Sequence, residues 1–465
     1  MAERCDWPLF ALLRKPTGLP LHLPAHGRGR ALAPELRRLL RRPAASWDLP
    51  ELPALGGPLE EEGAVAEAQA ACAALLGADR CWFGVNGASG LLQAALLGLA
   101  PPGSRVLLPR NLHRSLLHGC VLGHLEPLLF DLPFDPASGL WLPPTPAHLE
   151  RVLEQALPLQ PAALVLVDPT YQGQAADLAG LVATLRRLAP DLPVLVDQAH
   201  GEGTALAAGA DLVVLSLQKA ATGLAQSAAL LQRGIRVDQG ALERSLLWLQ
   251  TSSPSALLLA SAAAAIAHGQ SAAGRHQRQR AVAGALALRQ RLERLGFTLV
   301  ANQDPLRMVL NTAALGINGL EADGWLLERG VVAELPEPGT LTFCLGLGAT
   351  AGLGSRLPAR LLALRRTLGG PAWEPFDPPP LPLLARPERG VGEAWRSRSQ
   401  AVPLEAAAGR IAAEPLCPYP PGIPLLIPGE RIDGPRAAWL ARQRQRWPGQ
   451  IADSVNVMAN DQGGR

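Results

Sequence analysis

The feature that most constrains the fold of this chain is an alternation of short apolar runs with helix-like patterns. RVLLP (residues 105–109), VLVD (194–197), LVVLS (212–216) and residues 163–168 each have the length and apolar composition of a buried strand. Between two of them, LAGLVATLRRL (178–188) carries apolar residues at helical spacing. Alternation of this kind predicts an α/β fold with a mostly parallel, doubly wound sheet.

Chain length predicts more than one domain. A chain of 465 residues exceeds what a single hydrophobic core usually supports. A Pro- and Gly-rich stretch that begins with GGPAWEPFDPPPLP is typical of a linker. We therefore predict an N-terminal segment (1–45), a large domain that holds the main site (46–290), a smaller α/β domain (291–368), a Pro-rich linker (369–392) and a C-terminal segment (393–465).

Composition excludes several other classes of protein. Hydrophobic residues make up 48% and charged residues 18%, and no apolar run has the length of a membrane span. The first ten residues do not resemble a signal peptide, so we predict a cytoplasmic protein without a membrane partner. A net charge of +3 is small for this length and predicts no nucleic-acid partner. The six cysteines form no CxxC pair, which favours free buried thiols and no metal site.

Polar residues at strand ends give the first indication of function. In doubly wound sheets, ligands bind beyond the C-terminal ends of the strands, where Asp168, Asp197 and Ser216 all fall. A carboxylate directly after a buried strand is costly unless a cation meets it. One hypothesis is that Asp197 pairs with the protonated ring nitrogen of a pyridine cofactor. A helix N-cap or turn aspartate is the alternative interpretation.

Lysine usage singles out Lys219. Of the 43 basic residues, 41 are Arg and only Lys15 and Lys219 are Lys. A codon bias explains the excess of Arg, but a guanidinium stays protonated and cannot replace a neutral amine that condenses with a carbonyl. Burial in the loop after Ser216 would lower the pKa of Lys219 and make it a nucleophile. An ordinary surface lysine is the alternative.

Two further segments suit the same kind of ligand. FGVNGASGLLQAAL (83–96) is a small-residue loop that opens an apolar helix, and such a helix start presents free amides to a phosphate. The hydroxyl of Ser216 is placed to meet the same phosphate. RNLHRSLLHG (110–119) follows a predicted strand, so His113 is placed to lie against a cofactor ring. A hydrogen-bonded structural histidine is the alternative.

Taken in order, these segments resemble the Orn/Lys/Arg decarboxylase family. These are pyridoxal-phosphate (PLP) enzymes of the aspartate-aminotransferase fold, also called fold type I. The resemblance covers nearly the whole chain and depends on motifs that occur in the order of the family: PLFALLRKPTGLPLHLPAHGRG, WDLPELPAL, GADRCWFGVNGASG, RNLHRS, DPTYQGQAADL, VDQAHGEG, SLQKAATGLAQSA, QTSSPS and CPYPPGIPLLIPGERI.

The resemblance implies roles for individual residues. Lys219 matches the Schiff-base lysine and Asp197 the pyridinium partner. His200 matches the active-site histidine of the DxAHG motif, which makes it catalytic together with Lys219. His113 matches the histidine that stacks on the ring. The remaining matches are phosphate-binding positions (Ala88, Ser89, Ser216), a segment expected near the phosphate for which a second subunit is one candidate source (Thr251, Ser252), and an acidic residue near the substrate (Glu334).

Three positions depart from the pattern of the family. Gln218 stands where the residue before the lysine is usually a His that contacts the phosphate, and its amide can still donate a hydrogen bond. Gln198 replaces the Glu of DEAHG, and Ala256 replaces the aromatic residue common after SPS. We therefore keep Gln218 among the predicted cofactor-binding residues.

The function implied by the resemblance is α-decarboxylation of arginine, lysine or ornithine to the corresponding amine, with release of CO2. PLP is the implied cofactor, polyamine biosynthesis the implied role and a homodimer or higher homo-oligomer the implied assembly. Two alternatives remain open at this point. One is an aminotransferase or another PLP lyase of the same fold, and the other is a degenerate paralogue that binds PLP without turnover.

Overall fold

A computed structural model describes residues 8–14, 18–43, 45–50, 52–418, 422–447 and 451–459 of the chain. Cys5, Lys15 and part of the YPPGIP motif lie outside these residues. Within them, no single helix has both the length and the apolar composition needed to cross a membrane. One pair of helices, Ala256–Gln270 and Ala272–Arg294, meets that test together but bends by 76°.

The chain starts with short elements and continues into a large unit. The N-terminal elements are α1 (Pro8–Arg14), β1 (Leu19–Pro20) and α2 (Pro34–Leu39). The large unit consists of α3 (Ala64–Leu76), β2 (Arg80–Gly84), α4 (Gly87–Leu99), β3 (Arg105–Pro109), α5 (Arg114–Gly123), β4 (Glu126–Phe130), β5 (Phe134–Asp135), β6 (Leu140–Trp141), α6 (Pro146–Ala156), β7 (Pro161–Val167), α7 (Leu178–Leu188), β8 (Val194–Asp197), β9 (Leu212–Ser216), β10 (Ala228–Gln232), α8 (Gln239–Leu249), α9 (Ala256–Gln270) and α10 (Ala272–Arg294).

Two smaller units follow. The small unit consists of β11 (Arg307–Asn311), α11 (Gly319–Glu328), β12 (Val331–Val332), β13 (Leu335–Glu337), β14 (Thr340–Cys344) and α12 (Leu353–Leu368). Its sheet is antiparallel in the order β11-β14-β13, and β12 pairs with β1. The C-terminal unit consists of β15 (Leu384–Ala385), α13 (Val391–Arg396), β16 (Ser399–Pro403), α14 (Gly434–Arg446) and β17 (Ser454–Met458).

The sheet of the large unit organises the molecule. Among the described residues it has eight strands in the order β15-β4-β3-β7-β8-β9-β10-β2, and the five strands from β4 to β9 are parallel. Successive residues of a strand point to opposite faces, so Val194 and Val196 belong to one core and Leu195 to the other. Burial on both faces explains why these strands have continuous apolar sequences.

The predicted α/β fold with a mostly parallel sheet is confirmed. Strands β3, β8 and β9 and helix α7 have the predicted bounds, whereas the strand predicted at residues 163–168 begins two residues earlier and ends one residue earlier, as β7. The domain boundaries remain predictions. Within the predicted linker, β15 pairs with β4, and the buried Phe376 packs with the apolar residues of the C-terminal unit.

The cysteines follow the prediction with one exception. Those that are free and buried, as expected, are Cys72, Cys81, Cys120 and Cys344, whereas Cys417 is free but exposed.

Candidate active site

A cavity of about 800 Å³ lies at the C-terminal ends of the central strands. Its floor includes Asp197, the last residue of β8, and Ser216, the last residue of β9. The starts of α4 and α5 form one side, and residues of the small and C-terminal units close the others. A cavity at this edge of a doubly wound sheet is the expected place for a ligand.

Lys219 reaches the cavity from the turn that follows β9. Its backbone amide donates to the Ser216 carbonyl at 3.0 Å, and its Nζ lies 3.1 Å from Nε2 of His200. Burial lowers the pKa of Lys219, although the nearby Asp197 carboxylate opposes that shift. Burial, reinforced by the charge of Lys219, also holds the pKa of His200 well below its usual range. The amine and the imidazole are therefore both biased toward their neutral forms.

Asp197 is a buried carboxylate with a free hydrogen-bonding capacity. Only 5% of the residue is exposed, and its Oδ1 accepts from the Ala199 amide at 3.1 Å. Burial raises the pKa of Asp197, while the Ala199 amide and the charge of Lys219 act in the opposite direction. A cationic N–H donor in the cavity would favour the ionised carboxylate.

The part of the cavity wall formed by the start of α4 suits an anion. The side chain of Asn86 does not cap α4 but donates to the Leu249 carbonyl at 2.9 Å, and the Gly87 amide donates to the Gln226 carbonyl at 2.9 Å, so the amides of Ala88 and Ser89 are the ones that can receive an anion. Ala88 and Ser89 of this helix start line the cavity, and Gln218 lines it as well. His113 is the N-cap of α5, and burial followed by the charges of Lys219 and Arg114 lowers its pKa to about 4. Its ring is therefore neutral at physiological pH.

Most of the predicted site residues share this cavity. Those that line it are Ala88, Ser89, His113, Asp197, His200, Ser216, Gln218 and Lys219. Thr251 and Ser252 do not line it within one chain, because they are exposed residues in the turn between α8 and α9. Glu334 is also absent from the lining. Its Oε2 accepts from the Leu23 amide at 2.8 Å, and its Oε1 accepts from the Tyr171 hydroxyl.

The lining also contains polar residues that were not predicted, among them Tyr171, Gln172 and Glu337. Tyr171 and Gln172 lie in the DPTYQGQAADL motif, and the Tyr171 ring is 4.3 Å from the His200 ring between centroids. Glu337 is the last residue of β13 and is only 5% exposed. Nothing in the residues next to Glu337 indicates that it lines the cavity, although a buried glutamate is unusual. In the described part of the chain, no cluster of three or more His, Cys, Asp or Glu residues could hold a metal ion.

Comparison with known proteins identifies the family of this chain. Residues 17–312 match the Orn/Lys/Arg decarboxylase major domain, and residues 379–457 match the Orn/Lys/Arg decarboxylase C-terminal domain. The chain belongs to the Orn/Lys/Arg decarboxylase family. It is a pyridoxal-phosphate-dependent decarboxylase that acts on a basic amino acid, as the motifs implied.

Individual members of the family are similar over nearly the full length. An arginine decarboxylase of Bacillus cereus is 31% identical over 91% of this chain and 96% of its own. An arginine decarboxylase of Bacillus anthracis is 30% identical over 92% of this chain and 91% of its own. Among solved structures, the constitutive lysine decarboxylase of Escherichia coli superposes with a TM-score of 0.72 at 21% identity, covering 87% of this chain and 73% of its own. That structure confirms the fold.

The residues of the cavity fit the cofactor of the decarboxylase family. The amine of Lys219 has a lowered pKa, as a group that condenses with an aldehyde requires. Asp197 offers a buried carboxylate, and the uncapped start of α4 offers amides to a phosphate. Because these groups occupy one cavity, an aldehyde, a ring N–H and a phosphate can all be met by a single ligand.

Proposed function

We propose that this decarboxylase acts on arginine and releases CO2 and agmatine. The observation that carries the proposal is the Lys219 amine, 3.1 Å from His200 and close to the buried Asp197, inside a cavity at the strand ends. The choice of arginine is supported by the arginine decarboxylases, which are about 30% identical over nine tenths of the chain. The lysine decarboxylase compared above is only 21% identical.

Each cavity residue has a task in this proposal. Lys219 would bind the aldehyde of PLP covalently, and Asp197 would keep the ring nitrogen protonated. When bound, PLP accepts the electron pair that the Cα–carboxylate bond releases. His113 would lie against the ring as a neutral imidazole, and the start of α4 with Ser89 would receive the phosphate.

Lys219 and His200 are the candidates for returning a proton to Cα. Their nitrogens lie 3.1 Å apart, within the distance over which a proton is shared. Burial lowers the pKa of both groups, so neither holds its proton as firmly as it would in water. Lys219 or His200 would therefore be able to transfer a proton to Cα of the substrate.

We also propose that the active site is completed by a second copy of the chain. Thr251 and Ser252 are exposed beside two large apolar residues, Leu247 and Trp248, which are 64% and 69% exposed. In a homodimer these residues would be covered, and Thr251 and Ser252 would reach the phosphate of the neighbouring subunit. Light scattering gives the mass of the assembly, and a monomer with full activity would contradict this proposal. The cytoplasmic location stays a prediction.

A substrate panel tests the proposed reaction. We expect the PLP-loaded protein to release CO2 and the matching amine from arginine faster than from lysine or ornithine. A preference for lysine or ornithine would correct the substrate and leave the reaction class in place. Amino transfer that depends on a keto acid would favour an aminotransferase. Covalently bound cofactor without turnover of any amine would favour the degenerate paralogue.

A further inference from the structure

We propose that Glu337 is the acidic residue that binds the cationic end of the substrate side chain, where the resemblance to the family pointed to Glu334. This inference rests on the proposed function, because it assumes a substrate with a distal cation. It assigns a role in specificity to a residue of the small unit that faces the Lys219 cavity.

The position of Glu337 places a carboxyl group in the cavity wall. Glu337 ends β13, is 5% exposed, and lines the same cavity as Lys219 and Asp197. Its Oε2 accepts from Nε2 of Gln172 at 2.9 Å and from Oγ1 of Thr340 at 3.0 Å. These two donors fix one carboxylate oxygen in place, which is the preorganisation that a binding residue needs.

Within the part of the chain that the structure describes, no cation compensates the charge of Glu337. Both groups that donate to it are neutral, and it forms no ion pair with any residue that the structure describes. Burial raises the pKa of Glu337 to about 7, and the hydrogen bonds from Gln172 and Thr340 offset only part of that shift. A buried carboxylate without a cationic partner is costly. A guanidinium that enters the cavity would supply the missing charge.

Glu334 is less suited to the same task. Both of its oxygens already accept hydrogen bonds, one from the Leu23 amide and one from the Tyr171 hydroxyl. These bonds tie the N-terminal segment and the loop after β7 to the small unit. Glu334 does not line the cavity, whereas Glu337 does, so Glu337 is the acid that a ligand in the cavity meets directly.

The free Oε1 of Glu337 indicates which chemical group of a ligand would bind there. Because Gln172 and Thr340 engage Oε2 of Glu337, a guanidinium would donate N–H groups to Oε1, and such charge-assisted bonds are among the stronger hydrogen bonds in proteins. A neutral group of the same shape, such as the ureido group of citrulline, can donate hydrogen bonds but brings no charge. Glu337 should therefore discriminate arginine from citrulline by charge.

The decisive experiment compares arginine with citrulline on the PLP-loaded protein and its E337Q variant. The amide keeps the shape of the side chain and an oxygen that can accept from Gln172 and Thr340. We expect kcat/KM for arginine to fall by about 100-fold, mainly through KM, because a buried charge pair is lost. We expect kcat/KM for citrulline to change by less than about 3-fold. Equal losses on both substrates would overturn the proposal.

Two further variants make the comparison specific. E321Q removes a charge from an exposed position on α11 of the same unit, and we expect it to behave as the parent protein. E334Q tests the alternative acid. If E334Q rather than E337Q abolished the preference for arginine over citrulline, the cation would be bound by Glu334 and the proposal would be wrong.

A second variant, E337D, tests the same role if E337Q does not fold. E337D keeps the charge but moves it back by one methylene, so we expect the preference for homoarginine over arginine to increase by about 10-fold. An unchanged preference would count against Glu337. Near-ultraviolet circular dichroism checks that each variant is folded.

Direct binding separates this inference from the proposed reaction. Butylguanidinium carries the cation without an amino-acid group, so calorimetry with it does not depend on turnover. We expect about 10-fold weaker binding to E337Q than to the parent protein. If the parent protein preferred lysine, the substrate assignment would fail, while weaker binding of butylammonium to E337Q would still support the role of Glu337. Equal binding of these cations to the parent protein and E337Q would overturn that role.

Discussion

Two groups of buried charges in this molecule differ in how completely they are paired with opposite charges. Behind the cavity wall, the carboxylate of Glu430 lies between Arg110 and Arg436, and all three residues are at most 7% exposed. Inside the cavity, Asp197, Lys219 and Glu337 are buried without this degree of pairing. The comparison separates charges that hold the fold from charges that act on a ligand.

In the first group, the carboxylate of Glu430 is paired within the chain. Glu430 accepts from Arg110 at 2.6 and 3.0 Å, from Arg436 at 3.3 Å and from the Ile427 amide at 2.9 Å. Burial alone would raise the pKa of Glu430, but Arg110 and Arg436 outweigh it, so the pKa lies below its usual value. The group therefore stays ionised and needs no ligand.

The second group lacks such compensation. Burial raises the pKa of Asp197 and of Glu337 and lowers the pKa of Lys219, so each group is displaced toward its neutral form. Perturbed groups of this kind cluster at functional sites because a ligand supplies the missing partner. Compensation within the chain is thus what distinguishes the structural charges from the functional ones.

The structural group also shapes the cavity. Arg110 lies three residues before His113, and Glu430 follows the segment that brings Gly422 and Ile423 to the cavity. The ion pair joins residues 320 positions apart in the chain. It therefore holds the loop with His113 and the C-terminal unit in one arrangement.

The largest effect is expected for K219R. The guanidinium keeps a positive charge but cannot condense with an aldehyde, so activity should fall by at least about 10⁴-fold. CO2 release measures the loss. Borohydride reduction and peptide mapping should place the cofactor on Lys219 of the parent protein and on no residue of the variant. Activity retained in K219R would show that Lys219 does not bind the cofactor covalently.

Removal of Glu430 tests the structural group. E430Q leaves the buried Arg110 without its carboxylate partner, while Arg436 keeps its ion pair with Asp433, and the unpaired buried charge should lower the free energy of unfolding by about 3–5 kcal/mol. Denaturant titration measures the change. The matched control is E388Q, which breaks the exposed ion pair with Arg431 and should change stability little. Equal effects of E430Q and E388Q would remove the distinction drawn above.

The dependence of stability on pH sharpens the same comparison. The pKa of Glu337 is about 7 in the folded chain and near 4.5 when unfolded, so folded Glu337 holds its proton more firmly. Its contribution to stability is complete below about pH 4.5 and is lost as the pH rises to about 7.

A denaturant series from pH 5 to pH 8 on the parent protein and E337Q isolates this contribution. Their stability difference should move in favour of E337Q by about 2–3 kcal/mol as the pH rises. Asp131 and Asp168, whose pKa values burial raises to about 6, titrate in both proteins and cancel in the difference. A constant difference would mean that Glu337 is compensated within the chain.

The smallest effect is expected for Q218H. A histidine next to Lys219 could donate a charge-assisted hydrogen bond to the phosphate, and we expect PLP to bind about 3- to 10-fold more tightly. Titration of the apo-protein with PLP measures the dissociation constant. Pyridoxal, which lacks the phosphate, serves as the control and should show no gain. A similar gain with pyridoxal would place the effect elsewhere in the cavity.

Much of the fold and part of the site could be predicted because the signals are local. The apolar runs of β3, β8 and β9 define strands by their own composition, and the strand ends bring Asp197 and Ser216 to one edge of the sheet. The scarcity of lysine then pointed to Lys219, whose role stays a prediction, and the motif order pointed to the family, which the family match confirms.

The tertiary structure alone decided which residues from distant parts of the chain contact each other. Glu334 and Glu337 are three residues apart, yet contacts with Leu23 and Tyr171 engage the first, while the second lines the cavity. The pairing of Arg110 with Glu430 has no local signal either. Sequence patterns report how each residue relates to its neighbours along the chain. The partner of a buried charge is fixed only when packing brings separate segments together.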